Sequence, residues 1–268
     1  MAIEALIFDV DGTLADTEEA HRTAFNLAFK RHGLGWVWER APYRDLLRTP
    51  GGKERLRAYI ERLDVTPAER QRLIGLVADL HASKTRLYNE RIAAGEVPLR
   101  SGIERLLNEA VDAGCRLAIA STTSAENVDA LLQATLGPRG LDLFDVIACG
   151  DQVRHKKPAP DIFELALSHL GIGCERAIAF EDSEPGLQAA RAAGLWTVVT
   201  PTWWSEGSDL SGADLLLPEL GDPAAPLHGE PGRRLLHAGW LGFDELMQRA
   251  VAPLVPRHAA ARQLGLRP

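Results

Sequence analysis

The sequence predicts an α/β protein in which a doubly wound, Rossmann-like parallel sheet carries a helical cap inserted after its first strand. Two patterns predict it. From Arg116 onward, short apolar runs alternate with helical segments of ten or more residues, the mark of a parallel sheet covered on both faces. Ahead of them, Ala5–Phe8 reads as a buried strand, and no strand is evident from Thr17 to Ala94. The expected division is therefore 1–16 with 95–268 as the sheet-bearing core and 17–94 as the cap.

The elements follow in order. After the first strand, Asp16 with Glu19 resembles a capping box, and His21, Phe25 and Phe29 continue at helical spacing, so a helix should run to about His32. Thr66-Pro67-Ala68-Glu69 combines a cap, a first-position proline and a third-position acid, and the helix it opens should end at Gly95. Ser101-Gly102-Ile103-Glu104 opens another that stops at Gly114. Further strands are expected at Arg116–Ala120, Val146–Cys149, Ala177–Phe180, Trp196–Val199 and Leu215–Leu217. Trp203 and Trp204 fall in a loop before the last strand and should pack internally. Beyond Gly221 come Pro and Gly, a short helix at Phe243–Ala250 and a surface tail.

At 268 residues and a net charge of −7, the chain can bury a large core and is a poor partner for nucleic acid. No apolar segment reaches membrane-spanning length and the start lacks a basic signal region, so a cytoplasmic protein is expected. Cys115, Cys149 and Cys174 are odd in number, scattered and without metal-ligand spacing, which predicts buried, reduced thiols. Thr17 to Glu90 carries 14 Lys and Arg against 10 Asp and Glu, a cationic stretch in an acidic chain that suits an anionic ligand or a solvated helical surface. The oligomeric state stays open, with a monomer favoured.

Four strand ends carry the chemistry. Asp9 and Asp11, two apart on an extended segment, point the same way and can converge on one cation, while Gly12 lets the chain turn. Ser121-Thr122-Thr123 leaves the second strand toward a helix, where hydroxyls and free amides can hold phosphate oxygens. Lys156-Lys157-Pro158-Ala159-Pro160-Asp161 places an ammonium in a turn before a helix. Phe180-Glu181-Asp182-Ser183 is a second acidic pair leaving a strand, and Asp182 and Ser183 also suit a helix cap.

In this order the motifs resemble those of the haloacid dehalogenase superfamily of phosphotransferases, over nearly all of the chain from Ala5 to about Gly221. The resemblance is greatest to the sugar-phosphate branch that holds β-phosphoglucomutase and the CbbY-type sugar-bisphosphate phosphatases. It implies that Asp9 is a nucleophile forming an aspartyl-phosphate and that Asp11 is the general acid and base. It also implies a Mg²⁺ ion held by Asp9, the backbone carbonyl of Asp11 and Asp182, with Glu181 helping through water or from behind. Ser121 and Lys157, with Thr122 beside them, would hold the phosphoryl oxygens; Lys157 is preferred to Lys156 because it directly precedes the proline.

Substrate choice should lie in the cap. Thr49-Pro50-Gly51-Gly52-Lys53-Glu54-Arg55 resembles the loop with which CbbY-type enzymes grip the second phosphate of a sugar bisphosphate, and Gly51, Gly52, Lys53 and Arg55 are its candidates. His21 matches a cap histidine of the β-phosphoglucomutase branch, and Glu18, Tyr43 and Lys84 are further candidates. The resemblance implies hydrolysis of the 1-phosphate of xylulose 1,5-bisphosphate to xylulose 5-phosphate, a metabolite-repair step beside the Calvin cycle. A β-phosphoglucomutase-type mutase is the nearest alternative, although that pattern commonly has a valine at the place of Thr13. A dehalogenase and a phosphonatase using Lys53 fit less well, because Asp11 suits departure of a sugar alkoxide, and a catalytically silent sugar-phosphate sensor fits less well because every expected catalytic position is filled.

Overall fold

A computed structural model describes residues 2–251 of the chain; the tail expected after Val251 lies outside them. The first strand, β1 (Ala5–Phe8), is followed by five helices: α1 (Glu18–Arg31), α2 (Arg40–Leu46), α3 (Gly52–Glu61), α4 (Pro67–Gly75) and α5 (Val77–Ala93). The chain then alternates through α6 (Ile103–Asp112), β2 (Arg116–Ser121), α7 (Ala125–Leu136), β3 (Val146–Cys149), α8 (Asp161–Leu170), β4 (Ala177–Glu181), α9 (Glu184–Ala192), β5 (Trp196–Val199) and β6 (Leu215–Leu216). It ends in α10 (Gly229–Arg233) and α11 (Phe243–Val251). Among the described residues no helix is long and apolar enough to cross a membrane.

The six strands are parallel in the order β3-β2-β1-β4-β5-β6. Successive residues of β1 serve opposite faces: Leu6 and Phe8 pack with α6 and α7, Ala5 and Ile7 with α8 and α9. Phe8 pairs in register with Ile119 of β2 and Phe180 of β4, so the next residues of all three strands emerge together. The chain leaves β1 for one side of the sheet and later returns on the other. Such a reversal opens a crevice at the carboxyl ends, where open α/β sheets bind ligands.

The cap helices share an apolar cluster of Phe25, Phe29, Trp38, Tyr43, Leu56, Ile60, Leu73, Val77 and Leu80. The other face of α1, through Ala20, Ala24 and Ala28, joins the sheet's cluster beside Leu87, Tyr88 and Ile92 of α5. Asn26 ties the loop after α1 by giving and receiving hydrogen bonds at the Trp38 backbone, 3.0 and 2.8 Å.

Several expectations need correction. The segment from Thr66 to Gly95 is two helices, because the chain turns at Gly75–Leu76; Leu73 before the turn and Val77 and Leu80 after it all join the aromatic cluster. Asp16 does not cap α1: Thr17 holds the cap position, and Glu19 binds Arg22 instead. β2 and β4 each run one residue further than expected, through Ser121 and Glu181, while β6 stops at Leu216. Cys115 and Cys149 are buried free thiols, but Cys174 is partly exposed. Trp204 packs internally as expected, whereas Trp203 is 40% exposed.

The cap expected at Thr66 is present, its hydroxyl accepting from the Glu69 amide at 3.3 Å. Thr66→Ala should cost about 1 kcal/mol and lower the melting temperature by about 2–4 °C, read by calorimetry, with turnover unchanged.

Candidate active site

Asp9 follows β1, its amide bonded to the Phe180 carbonyl at 3.0 Å, and Glu181 ends β4, so sheet register brings the two acidic motifs side by side. Asp9, Glu181 and Asp182 are all buried and offer carboxylate oxygens within 4.8 Å of one another. Lys157, from the turn before α8, places its Nζ 2.6 Å from Asp9 and 2.6 Å from Glu181. Lys156 also borders the cavity, but its ammonium donates to the Gly150 carbonyl, and it is Lys157 that reaches Asp9 and Glu181.

The charges in this group do not balance. Burial, then repulsion from Asp9 and Glu181, pushes the Asp182 carboxyl well above the carboxylate range, and burial raises Asp9 despite Lys157. Glu181 is pushed up to about 7, chiefly by burial. Burial works against the Lys157 ammonium, yet Asp9 and Glu181 outweigh it and hold the lysine charged. One ammonium among three buried carboxylates leaves negative charge that a divalent cation can neutralise, and an all-oxygen donor set suits a hard ion such as Mg²⁺.

Asp11 faces elsewhere. Its Oδ1 accepts from the Thr17 hydroxyl at 2.5 Å and lies 2.8 Å from His21 Nε2. Burial opposes its ionisation, but His21 and these hydrogen bonds prevail and hold the carboxyl well below the usual range. The His21 ring is stacked on Tyr88, centroids 4.0 Å apart, which fixes its orientation. Thr17 and His21 both start α1, so the cap supplies the partners of a carboxylate that belongs to the sheet.

Gly12, with φ +85°, makes the turn after Asp11 possible, and a Cβ there would lie 2.3 Å from Asp182 Oδ2. Its carbonyl accepts from Arg100, whose guanidinium also reaches the carbonyls of Thr200, Pro201 and Pro218.

A cavity of about 730 Å³ separates the sheet from the cap. Asp9, Asp11, Ser121, Thr122, Lys157 and Asp182 line one side; Glu18, His21, Gly51, Gly52, Lys53, Arg55 and Lys84 line the other. Glu181 lies beneath this surface rather than in it. Tyr43 is likewise fully buried and absent from the wall: its hydroxyl donates to Glu18 at 3.0 Å and accepts from Arg55 Nη1 at 3.0 Å. Tyr43 thus supports two wall residues and is not itself exposed to a ligand. Lys84 is buried against Phe25 and Tyr88, and burial lowers its ammonium to about 8. Lys53 sits at the rim, 3.4 Å from Asp151 across the cavity.

Sequence reasoning missed His81 and Asn127 in the wall, where Thr123 of the hydroxyl-rich run also stands. His81 sits three residues before Lys84 on α5, a helical spacing that could have found it; burial, then Lys84 and Lys53, depress its imidazole to about 3. Asn127 donates to Thr123 Oγ1 at 2.9 Å and so braces the hydroxyl-rich turn after β2.

Comparison with known proteins shows the family. The haloacid dehalogenase-like hydrolase family matches residues 3–194. Protein CbbY of Rhodobacter capsulatus is 50% identical over 220 residues, covering 82% of this chain and 95% of that protein. The plasmid-encoded CbbY of Cupriavidus necator is 51% identical over 225 residues, 84% of this chain and 89% of its own. Among solved structures, a mutant CbbY from Rhodobacter sphaeroides in complex with xylulose-(1,5)bisphosphate is 47% identical with a TM-score of 0.76, covering 83% of this chain and 98% of that one. The chain belongs to the haloacid dehalogenase-like hydrolases, within their CbbY-type group, and is a phosphoric monoester hydrolase.

Gly12→Ala tests how closely the turn and the acidic cluster are fitted. It should lower turnover by about a hundredfold or more and raise the Mg²⁺ concentration needed for half-activity, because the new methyl displaces Asp182. A metal titration of the variant reads both effects.

Proposed function

We propose that this protein is a Mg²⁺-dependent phosphatase that removes the 1-phosphate of xylulose 1,5-bisphosphate, with residues 17–94 as a cap that selects the sugar and 1–16 with 95–268 as the core that does the chemistry. The observation that carries the reading is the two-ended cavity. Its floor holds Asp9, Asp182 and Lys157, and its opposite wall holds Arg55, Lys84 and Lys53. With a divalent cation held by the acidic floor, a ligand anionic at both ends would suit both walls, and the bisphosphate bound by the CbbY of Rhodobacter sphaeroides supports that choice.

The residues fit a divalent cation. Asp9, Asp182 and the backbone carbonyl of Asp11 would hold it, with Glu181 behind. When bound, Mg²⁺ offsets repulsion between the attacking carboxylate and the phosphate. A free oxygen of Asp9 attacks phosphorus, the bond from phosphorus to the sugar oxygen breaks, and an aspartyl-phosphate forms. The leaving alkoxide takes a proton from the Asp11–His21 pair, whose 2.8 Å contact lets one proton be shared between them. Water then attacks the aspartyl-phosphate and gives its proton to Asp11, which restores Asp9 and releases phosphate. Ser121 and Lys157 border the same end of the cavity, where they hold phosphoryl oxygens as charge shifts.

At the far end, Arg55 and Lys84 meet the second phosphate while Glu18 accepts from sugar hydroxyls. Closure of the cap over both ends excludes water and rejects ligands that lack the second anion.

Phosphate release with Mg²⁺ across sugar mono- and bisphosphates tests the proposal. Xylulose 1,5-bisphosphate should be strongly preferred and EDTA should abolish turnover. Equal turnover of monophosphates refutes the two-ended reading, and dominant isomerisation of β-glucose 1-phosphate refutes hydrolysis.

Lys84 supplies a pH dependence. Its ammonium is present below about 8 in the free enzyme and lost above it, so kcat/KM for the bisphosphate should fall as pH rises through about 8. Lys84→Met should lack that limb and have a kcat/KM about tenfold lower at pH 7, measured by a steady-state pH profile.

A further inference from the structure

The chain between β5 and β6 leaves the sheet at Thr200, reaches the cap and returns. Its foot is fixed, since Arg100 donates to the carbonyls of Thr200 and Pro201 with the same guanidinium that grips Gly12. Its turn is rigid. Thr202 Oγ1 accepts from the Trp204 amide at 3.2 Å, and Ser205 Oγ accepts from the Thr202 amide at 3.0 Å. Its tip is buried in the cap. Trp204, 5% exposed, belongs to the aromatic cluster of Phe25, Trp38 and Tyr43 and to neither cluster that flanks the sheet.

Trp204 meets Tyr43 edge to face, centroids 5.7 Å apart at 88°. From outside, Arg40 lies over both indoles at 4.6 and 5.3 Å, and Arg44 lies over Trp203 at 4.9 Å while pairing with Glu206 at 3.5 Å. The buried face of this contact has a chemical consequence. The Tyr43 hydroxyl is where Glu18 and Arg55 meet, and the Arg55 guanidinium also lies 5.3 Å from the Tyr43 ring. Whatever holds the Tyr43 ring therefore holds two residues of the cavity's far wall.

We propose that Trp204 is a specificity-determining positioning residue: a side chain of the sheet-bearing core, seated in the cap, that fixes Tyr43 and through it aims Arg55 and Glu18 at the non-reacting, phosphorylated end of the substrate. The proposal rests on the two-ended reading given above and names the residue on which far-end recognition depends. Trp204 also borders the cavity, but among the described residues no hydrogen bond or ring contact joins it to Asp9, Asp11, Asp182 or Lys157, whereas its ring contact with Tyr43 leads to Arg55 and Glu18, so its removal should be felt at the far end of the ligand. Truncation opens a space the size of an indole beside Tyr43, into which the ring can tilt, and the Arg55 guanidinium then loses its fixed partner. A Trp that only buries apolar surface would instead affect every substrate alike.

The experiment compares wild type with Trp204→Phe, Trp204→Leu, Trp204→Ala and Trp203→Phe. Each is assayed on xylulose 1,5-bisphosphate and on p-nitrophenyl phosphate, which has a transferable phosphoryl group and no second anion. Trp204→Ala and Trp204→Leu should raise KM for the bisphosphate about tenfold or more, with kcat/KM for the aryl phosphate within about threefold of wild type. Trp204→Phe keeps an aromatic edge against Tyr43 and should recover most of the loss, and Trp203→Phe should leave both substrates within about twofold. Trp204→Leu keeps the position filled, so the split can be read even where the alanine variant does not fold. Equal losses on both substrates, or an unchanged bisphosphate KM in the leucine and alanine variants, overturn the role of Trp204 alone. A wild type that does not prefer the bisphosphate to the aryl phosphate overturns the two-ended reading and the proposal with it.

Discussion

The Lys157 ammonium, 2.6 Å from both Asp9 and Glu181, is the interaction on which the site depends. Three carboxylates cannot be buried within 4.8 Å of one another without compensation, and a single ammonium compensates only in part. It leaves Asp9 tethered yet still facing the cavity, and it keeps Glu181 under the surface, where its negative charge acts on the other two. The sheet makes this arrangement available. β1 lies between β2 and β4, and in-register pairing of Phe8 with Phe180 sets Asp9 beside Glu181.

Across the cavity the balance has the opposite sign. Arg55 and Lys84 are almost completely buried, and burial holds Lys84 at about 8. Charges placed so expensively are retained where a ligand of opposite charge completes them. The two walls thus differ in sign, acidic at the floor and cationic at the far side, and the cap brings Thr17 and His21 to Asp11 as well. Chemistry and recognition therefore meet at α1, the first element of the cap.

The fold and the residues that share the cavity's floor were legible because their signals are local. An apolar run that ends in polar residues marks a strand end, and four such ends in order place Asp9, Ser121, Lys157 and Asp182 before any geometry is known. What was not legible depends on partners far along the chain. Asp16 and Glu19 have the spacing of a capping box, but the Thr17 hydroxyl is drawn to Asp11 and Glu19 to Arg22. The turn at Gly75–Leu76 escaped notice because Leu73, Val77 and Leu80 face one cluster on both sides of it. Tyr43 reads as a candidate ligand contact, yet its hydroxyl is spent on Glu18 and Arg55, a pairing over 25 and 12 residues that spacing cannot reveal.

Arg100 lies on the strand of chain that returns from the cap. Its amide bonds to the Leu14 carbonyl at 2.8 Å, and Ala15 bridges Leu99, so the outgoing and returning connections cross as a pair beside the catalytic turn. Thr17 and His21 follow directly on this pairing and carry it to Asp11 through two side-chain contacts. Lys53 and Arg55 are reached only after α1 and α2 have been traversed, and Lys53 touches the sheet-bearing side through an exposed ion pair with Asp151. One end of the cavity is thus anchored to the sheet by short backbone and side-chain links, and the other by a surface contact.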